Sequence, residues 1–184
     1  MPTDTAIAAC LNSGESLADR ILKVNHAGEH GAVNIYRGQA LICRWRAPSL
    51  LAELEEFRRH EEGHRAGFTA EMERRGVRRC RSYHLCGIGG LALGILTGLC
   101  GKAAVAATTV AVESVVLRHL EEQMAYLETA DEDAYRAVRT IVEEERAHHD
   151  RAAASVAPRG FWWRLVLPTV TLSTEAVIWL GMRL

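Results

Sequence analysis

Apolar residues at Leu17, Ile21, Val24, Ala32, Ile35 and Leu41 recur at helical spacing and predict a first helix from about Ser16 to Arg44. Leu50, Leu54, Phe57, Glu61, His64 and Phe68 then advance by alternating steps of three and four, the spacing of a buried seam, and predict a second helix over about Ser49–Arg75. The same rhythm returns at Ala134, Val138, Ile141, Glu145, His148 and Ala152, in a fourth helix over about 132–155. Before it, a helix over about 103–129 begins apolar (Ala103, Val105, Val110, Val112) and turns charged at Arg118-His119-Leu120-Glu121-Glu122. Arg46-Ala47-Pro48-Ser49 and Thr129-Ala130-Asp131 carry turn signals between the members of each pair. The expectation is an all-α bundle of two antiparallel hairpins, 15–76 and 102–155.

Both seams contain groups that do not belong in an apolar core. Glu29, Glu61 and His64 recur 84 residues later as Glu113, Glu145 and His148. In each hairpin the turn lies midway between the lone Glu and the Glu-x-x-His, so both hairpins bring their acids to one level. Unpartnered burial of such groups costs several kcal/mol, roughly, after relaxation. Four carboxylates neutralise two divalent cations, and two imidazoles add nitrogen donors suited to iron. Glu29, Glu61, His64, Glu113, Glu145 and His148 are therefore the candidate ligands of a dinuclear metal site in a ferritin-like four-helix bundle, the arrangement of di-iron and di-manganese carboxylate proteins. Gly28 and Gly31 flank Glu29 inside a helix, which calls for a close backbone approach or room for a substrate. His60 and Glu62 fall on other faces and read as solvated, with a pairing of His60 to Glu56 or His64 as the alternative, and Glu143, Glu144 and His149 are left unassigned between orienting ligands and facing water. Asp150 is a candidate acceptor for a ligand histidine, although its spacing from His148 is poor. His119 lies too far along its helix from Glu113 to be a ligand and belongs beside the site or the substrate cavity.

Two further segments change the picture. Ser82–Gly101 holds no Asp, Glu, Lys or Arg and is as long as a bilayer span, yet six of its residues are glycine. It must also join the two hairpins, and one crossing would put the halves of the site in different compartments. An apolar crossover helix lying in the membrane interface, next to the arginines of 74–81, avoids that; a buried crossover in a soluble oligomer is the alternative. Gly90, Gly94 and Gly98 form a small-residue stripe able to seat another helix, here or from another subunit. From 158 to 184, Phe161-Trp162-Trp163 and an apolar tail predict a C-terminal amphipathic helix suited to the water–lipid boundary.

At 184 residues the chain makes one domain, 15–184, after a mobile lead-in over 1–14. A net charge of −1 gives no global attraction to nucleic acid. Five cysteines without a C-x-x-C pair read as reduced thiols, and residues 1–13 show no signal-peptide pattern.

The stretch Val24-Asn25-His26-Ala27-Gly28-Glu29-His30-Gly31-Ala32, followed by Ile35-Tyr36-Arg37-Gly38-Gln39, resembles the demethoxyubiquinone hydroxylase family of ubiquinone biosynthesis. Thr109–Glu113 and Glu144–Asp150 resemble its third and fourth ligand helices, and the likeness runs from about Leu17 to the C-terminus. The resemblance implies that the same six residues bind two Fe ions per chain. It further implies a monooxygenase that uses O2 to hydroxylate the ring of 3-demethoxyubiquinol or its quinone, a polyprenyl substrate, with electrons from the quinol or NADH. The resemblance also implies a lipid-binding biosynthetic partner; the apolar crossover that such a substrate requires places the chain peripherally on the cytoplasmic face of a bacterial inner membrane, and the glycine stripe leaves a homo-oligomer open. His30 and Leu120 stand where that family usually has Tyr. Two rival readings stay open: an iron-oxidising storage protein with the same ligands, and a noncatalytic quinone-binding scaffold.

Overall fold

The computed structural model describes residues 10–155 and 160–184. The lead-in expected over 1–14 falls largely on residues 1–9, and the start of the C-terminal segment, expected at 158, falls on 156–159; both stretches lie outside the described residues.

Among the described residues the chain is all-α: α1 (Leu17–Arg46), a 3-10 turn (Pro48–Leu50), α2 (Leu51–Arg74), α3 (Tyr83–Cys100), α4 (Lys102–Ala130), α5 (Glu132–Ala154) and α6 (Phe161–Gly181). Local chemistry sets the ends. Ser16 Oγ accepts from the Asp19 N–H at 3.0 Å while the Asp19 carboxylate accepts from the Ser16 N–H at 3.1 Å, a reciprocal cap on α1. Asp131 caps α5 by accepting from the Ala134 N–H at 3.0 Å, and its carboxylate also receives Arg75 of α2 at 2.6 and 2.7 Å. Arg75 thereby ties the end of the first hairpin to the turn of the second, and holds the Asp131 carboxyl down from 3.8 to about 2. Gly101, at φ +93°, makes the joint between α3 and α4.

The helices form two similar units. In the first, α1 pairs with α2 and carries α3 on its outer side; in the second, α4 pairs with α5 and carries α6. The units meet through α3 on α4 and α2 on α5. The helix seated by the glycine stripe is α1 of the same chain. A methyl group at Gly90 would strike the Gly31 carbonyl, one at Gly94 the Ile35 carbonyl, and one at Gly98 would come within 2.9 Å of Ile42 Cβ. Such contact demands bare backbone on both helices, and Gly38 answers from α1, with the Leu91 carbonyl 2.6 Å from where its Cβ would stand.

At one end of the bundle Ile21, Leu22, Phe68, Met72, Leu127, Val138 and Ile141 share a buried cluster, and at the other Tyr36, Cys43, Leu54, Phe57 and Val105 share a second. Ala104, Ala107 and Ala111 let Val166 and Val170 of α6 close on α4. Two helices, α3 and α4, are long and apolar enough to cross a membrane; over half of the α4 window is buried within the protein, whereas Leu85, Ile88, Leu96 and Leu99 of α3 face outward.

Candidate metal centre

The polar exceptions to these cores converge between the two clusters. α1 supplies Glu29, α2 Glu61 and His64, α4 Glu113, and α5 Glu145 and His148, all buried. They form two overlapping groups, Glu29–Glu61–His64–Glu145 and Glu61–Glu113–Glu145–His148, each offering one donor atom per residue within 4.8 Å of the others. Glu61 and Glu145 belong to both. His64 Nδ1 lies 3.0 Å from Glu145, 3.6 Å from Glu61 and 3.7 Å from Glu29, and His148 Nδ1 lies 3.2 Å from Glu61 and 3.6 Å from Glu145. The structure thus brings all six candidates of the sequence to one place.

A metal fits this set on the testimony of its own atoms. Among the described residues six side-chain atoms are buried without a hydrogen-bond partner, and four of them, Glu61 Oε1, His64 Nδ1, Glu145 Oε2 and His148 Nδ1, belong to the two groups; His26 Nδ1 and Gln39 Oε1 are the others. Buried polar atoms are rarely left so unless something else meets them. The protonation of the metal-free set makes the same point. Burial, with the charges of Glu61 and Glu145 added, pushes the carboxyls of Glu29 and Glu113 well above their ordinary 4.5. Burial alone would lower His148, but the carboxylates of Glu145 and Glu61 outweigh it and raise it from 6.5 to about 9; His64 moves further in the same direction. Tyr36 donates from its hydroxyl to Glu113 Oε1 at 2.8 Å, and burial pushes its phenol up.

Neighbouring residues depart from expectation. His60 does not stand off in solvent: its Nδ1 lies 2.9 Å from His148 Nε2, because α2 meets α5 on that face. Glu144, given no role in the sequence, accepts from His64 Nε2 at 3.0 Å. Asp150 pairs with His149 at 2.9 Å instead of with His148. His119 meets Glu175 of α6 at 2.9 Å. His30 stacks on Tyr83 with centroids 4.0 Å apart and contacts Arg65.

An apolar cavity of about 420 Å3 opens from the site. Glu29, Glu61, Glu113 and Glu145 form its floor; Ile35, Leu93, Val112, Val116, Leu120 and Val177 wall it; Asn25, His119, Ser173 and Thr174 add polar points. The glycines around Glu29 divide two tasks. Gly31 meets the Cys86 carbonyl, 3.4 Å from where its Cβ would stand, and Gly28, with nothing within 4 Å, keeps the cavity open beside Glu29.

Residues 16–181 match the family described as Ubiquinone biosynthesis protein COQ7. The chain belongs to the COQ7 family. The resemblance read from the residues around Glu29 is met. Among curated COQ7 relatives, "3-demethoxyubiquinol 3-hydroxylase" of Rhodospirillum rubrum is 30% identical over 171 residues, covering 93% of this chain and 80% of the relative. "NADPH-dependent 3-demethoxyubiquinone 3-hydroxylase, mitochondrial" is 31% identical over 189 residues in Mus musculus (96% and 86% covered) and 30% over 177 residues in Dictyostelium discoideum (91% and 77%).

Proposed function

We propose that this COQ7-family chain is a di-iron monooxygenase that inserts one oxygen atom of O2 into the ring of 3-demethoxyubiquinol or its quinone. One observation carries the reading: two overlapping groups of buried acids and imidazoles form the floor of a cavity whose walls are hydrocarbon. Glu29, Glu61, His64 and Glu145 would hold one iron, and Glu61, Glu113, Glu145 and His148 the other. Two bound irons supply the electron transfer to O2 that side chains do not perform. The protein does the rest. The apolar walls take the quinol ring and the first part of its tail and exclude water, and Asn25, His119, Ser173 and Thr174 offer hydrogen bonds to ring oxygens. Glu29 and Glu113, whose carboxyls burial raises, give up protons as metal enters.

The cavity lies between α3 and α6, whose outward residues Leu85, Ile88, Leu96, Leu172 and Trp179 are exposed and apolar. This favours a peripheral position on a membrane, at the cytoplasmic face of a bacterial inner membrane, so that a polyprenyl tail stays in lipid while its ring reaches the site. The basic cluster contributes less than its sequence promises. Arg74 and Arg75 are engaged by Asp133 and Asp131, leaving Arg78, Arg79 and Arg81 exposed toward anionic headgroups. The mitochondrial relatives' names carry NADPH, which suits an electron supply from a reduced nicotinamide or from the quinol itself.

The test is to reduce the iron-reconstituted protein, add a short-tailed demethoxyubiquinol and 18O2, and follow the ring by mass spectrometry. One labelled oxygen in the product, lost in Glu113→Ala, is expected. O2 consumption with ferric iron accumulating and the quinol unchanged would transfer the chain to the iron-oxidising reading, and quinol binding with neither O2 consumption nor label would leave a quinone-binding scaffold.

A further inference from the structure

A metal-binding histidine uses one ring nitrogen on the metal and keeps an N–H on the other, which needs an acceptor to fix the tautomer and the ring. His64 and His148 turn Nδ1 toward the carboxylates and Nε2 away from them, toward the cleft between α2 and α5 on the far side from the apolar cavity. Glu144 Oε2 lies 3.0 Å from His64 Nε2, and His60 Nδ1 lies 2.9 Å from His148 Nε2, with the two rings of the latter pair stacked at 15°. The acceptor comes from the opposite hairpin each time: α5 serves the histidine of α2, and α2 serves the histidine of α5. His60 and Glu144 are also 84 residues apart, the offset of the ligands themselves. The repeat therefore extends one layer beyond the ligands, with the place kept and the chemistry changed.

That change makes the two metal positions unlike. A carboxylate behind His64 draws on its N–H strongly and makes Nδ1 a better donor. To accept from His148, His60 must carry its own proton on Nε2 and is then a neutral, weaker acceptor. A second difference acts in the same sense. Tyr36 donates to Glu113, a ligand confined to the His148 position, and so competes with a metal for that carboxylate; the equivalent place 84 residues on is Leu120, which has no hydroxyl to offer Glu29.

We propose that Glu144 and His60 are positioning residues for His64 and His148, and that together they rank the two positions, the Glu29–His64 position binding its metal first and more tightly. The inference rests on the metal-centre reading above. Both side chains are partly open to solvent, so alanine at either place leaves the cores intact.

Apo protein is titrated with Co(II), following d–d absorption and calorimetric heat. Wild type is expected to take two Co(II) in two resolved steps. Glu144→Ala should weaken the first step by about ten- to a hundredfold and leave the second nearly unchanged, and His60→Ala should do the reverse. Glu144→Gln and His60→Asn, which keep an acceptor oxygen in place, should recover much of each loss; a purely packing role predicts no such recovery. Alanine variants that bind as wild type does, or that weaken both steps alike, overturn the pairing while leaving the metal centre standing. A wild type that takes up fewer than two Co(II) overturns the metal centre and the pairing with it.

Discussion

A carboxyl group buried among other carboxyls is kept neutral by a proton until a cation replaces it. Glu29 and Glu113 are in that state, raised by burial and by the charges of Glu61 and Glu145. A group whose folded pKa is raised holds its proton above the pH at which a free carboxyl, ordinarily 4.5, has lost it, and metal entry must displace that proton. Metal affinity is therefore expected to keep climbing with pH well above 4.5, with protons released as Co(II) enters a weakly buffered solution containing an indicator dye. Affinity already level from pH 5 upward would show that the two acids are ionised beforehand. The six candidate ligands were legible in the sequence because they interrupt two apolar seams at one common offset. His60 and Glu144 were not, because each precedes a ligand glutamate by one residue and so falls off the seam, on a face that a helical wheel assigns to water. Their shared offset was the signal available. Asp150 was the wrong acceptor, since a residue two places along a helix from His148 points away from it, and only the crossing of α2 with α5 shows which neighbour does reach the ring.

At the scale of the helix, glycine has opposite consequences on the two sides of α3. Gly94 faces the Ile35 carbonyl, where a methyl group has no room and the obstacle is backbone; Gly89 has nothing within 4 Å. Gly94→Ala is expected to destabilise the protein by about 2–3 kcal/mol as α1 and α3 are forced apart. Gly89→Ala is expected to be neutral or to stabilise by up to about 1 kcal/mol through helix propensity. Urea unfolding of the two variants checks both, and equal losses would mean that the stripe is not a seat for α1. The sequence showed the stripe, and the alternation of apolar steps showed the hairpin helices to within a few residues. Which helix the stripe meets was beyond it, because Gly90, Gly94 and Gly98 offer closeness to any backbone. The answer lies with Gly31 and Gly38, which had been read only for their nearness to Glu29 or not at all.

At the scale of the molecule, one side is hydrocarbon and the other is charged. Leu85, Ile88, Leu96 and Leu99 on α3 and Phe161, Leu165, Leu172 and Trp179 on α6 are exposed, on the side of the cavity, while His60, Glu144 and the Arg74–Asp133 and Arg151–Glu56 pairs lie where α2 meets α5. An exposed apolar surface of this kind is a site of association. Replacing Ile88 and Leu172 together by lysine is expected to abolish co-sedimentation with phospholipid vesicles, while Co(II) uptake stays that of wild type; sedimentation unchanged by two lysines would place the lipid contact elsewhere. The division into units of three helices has a consequence for the life of the protein in a cell. Each unit packs chiefly on itself, and buried acids from both units meet at the seam, so a metal held between them would act as a cross-link. Ligands that bind only the folded form stabilise it by mass action, and proteases act on forms that open. On that reading unloaded copies would be the ones cleared first, and the quantity of intact protein would follow the supply of metal.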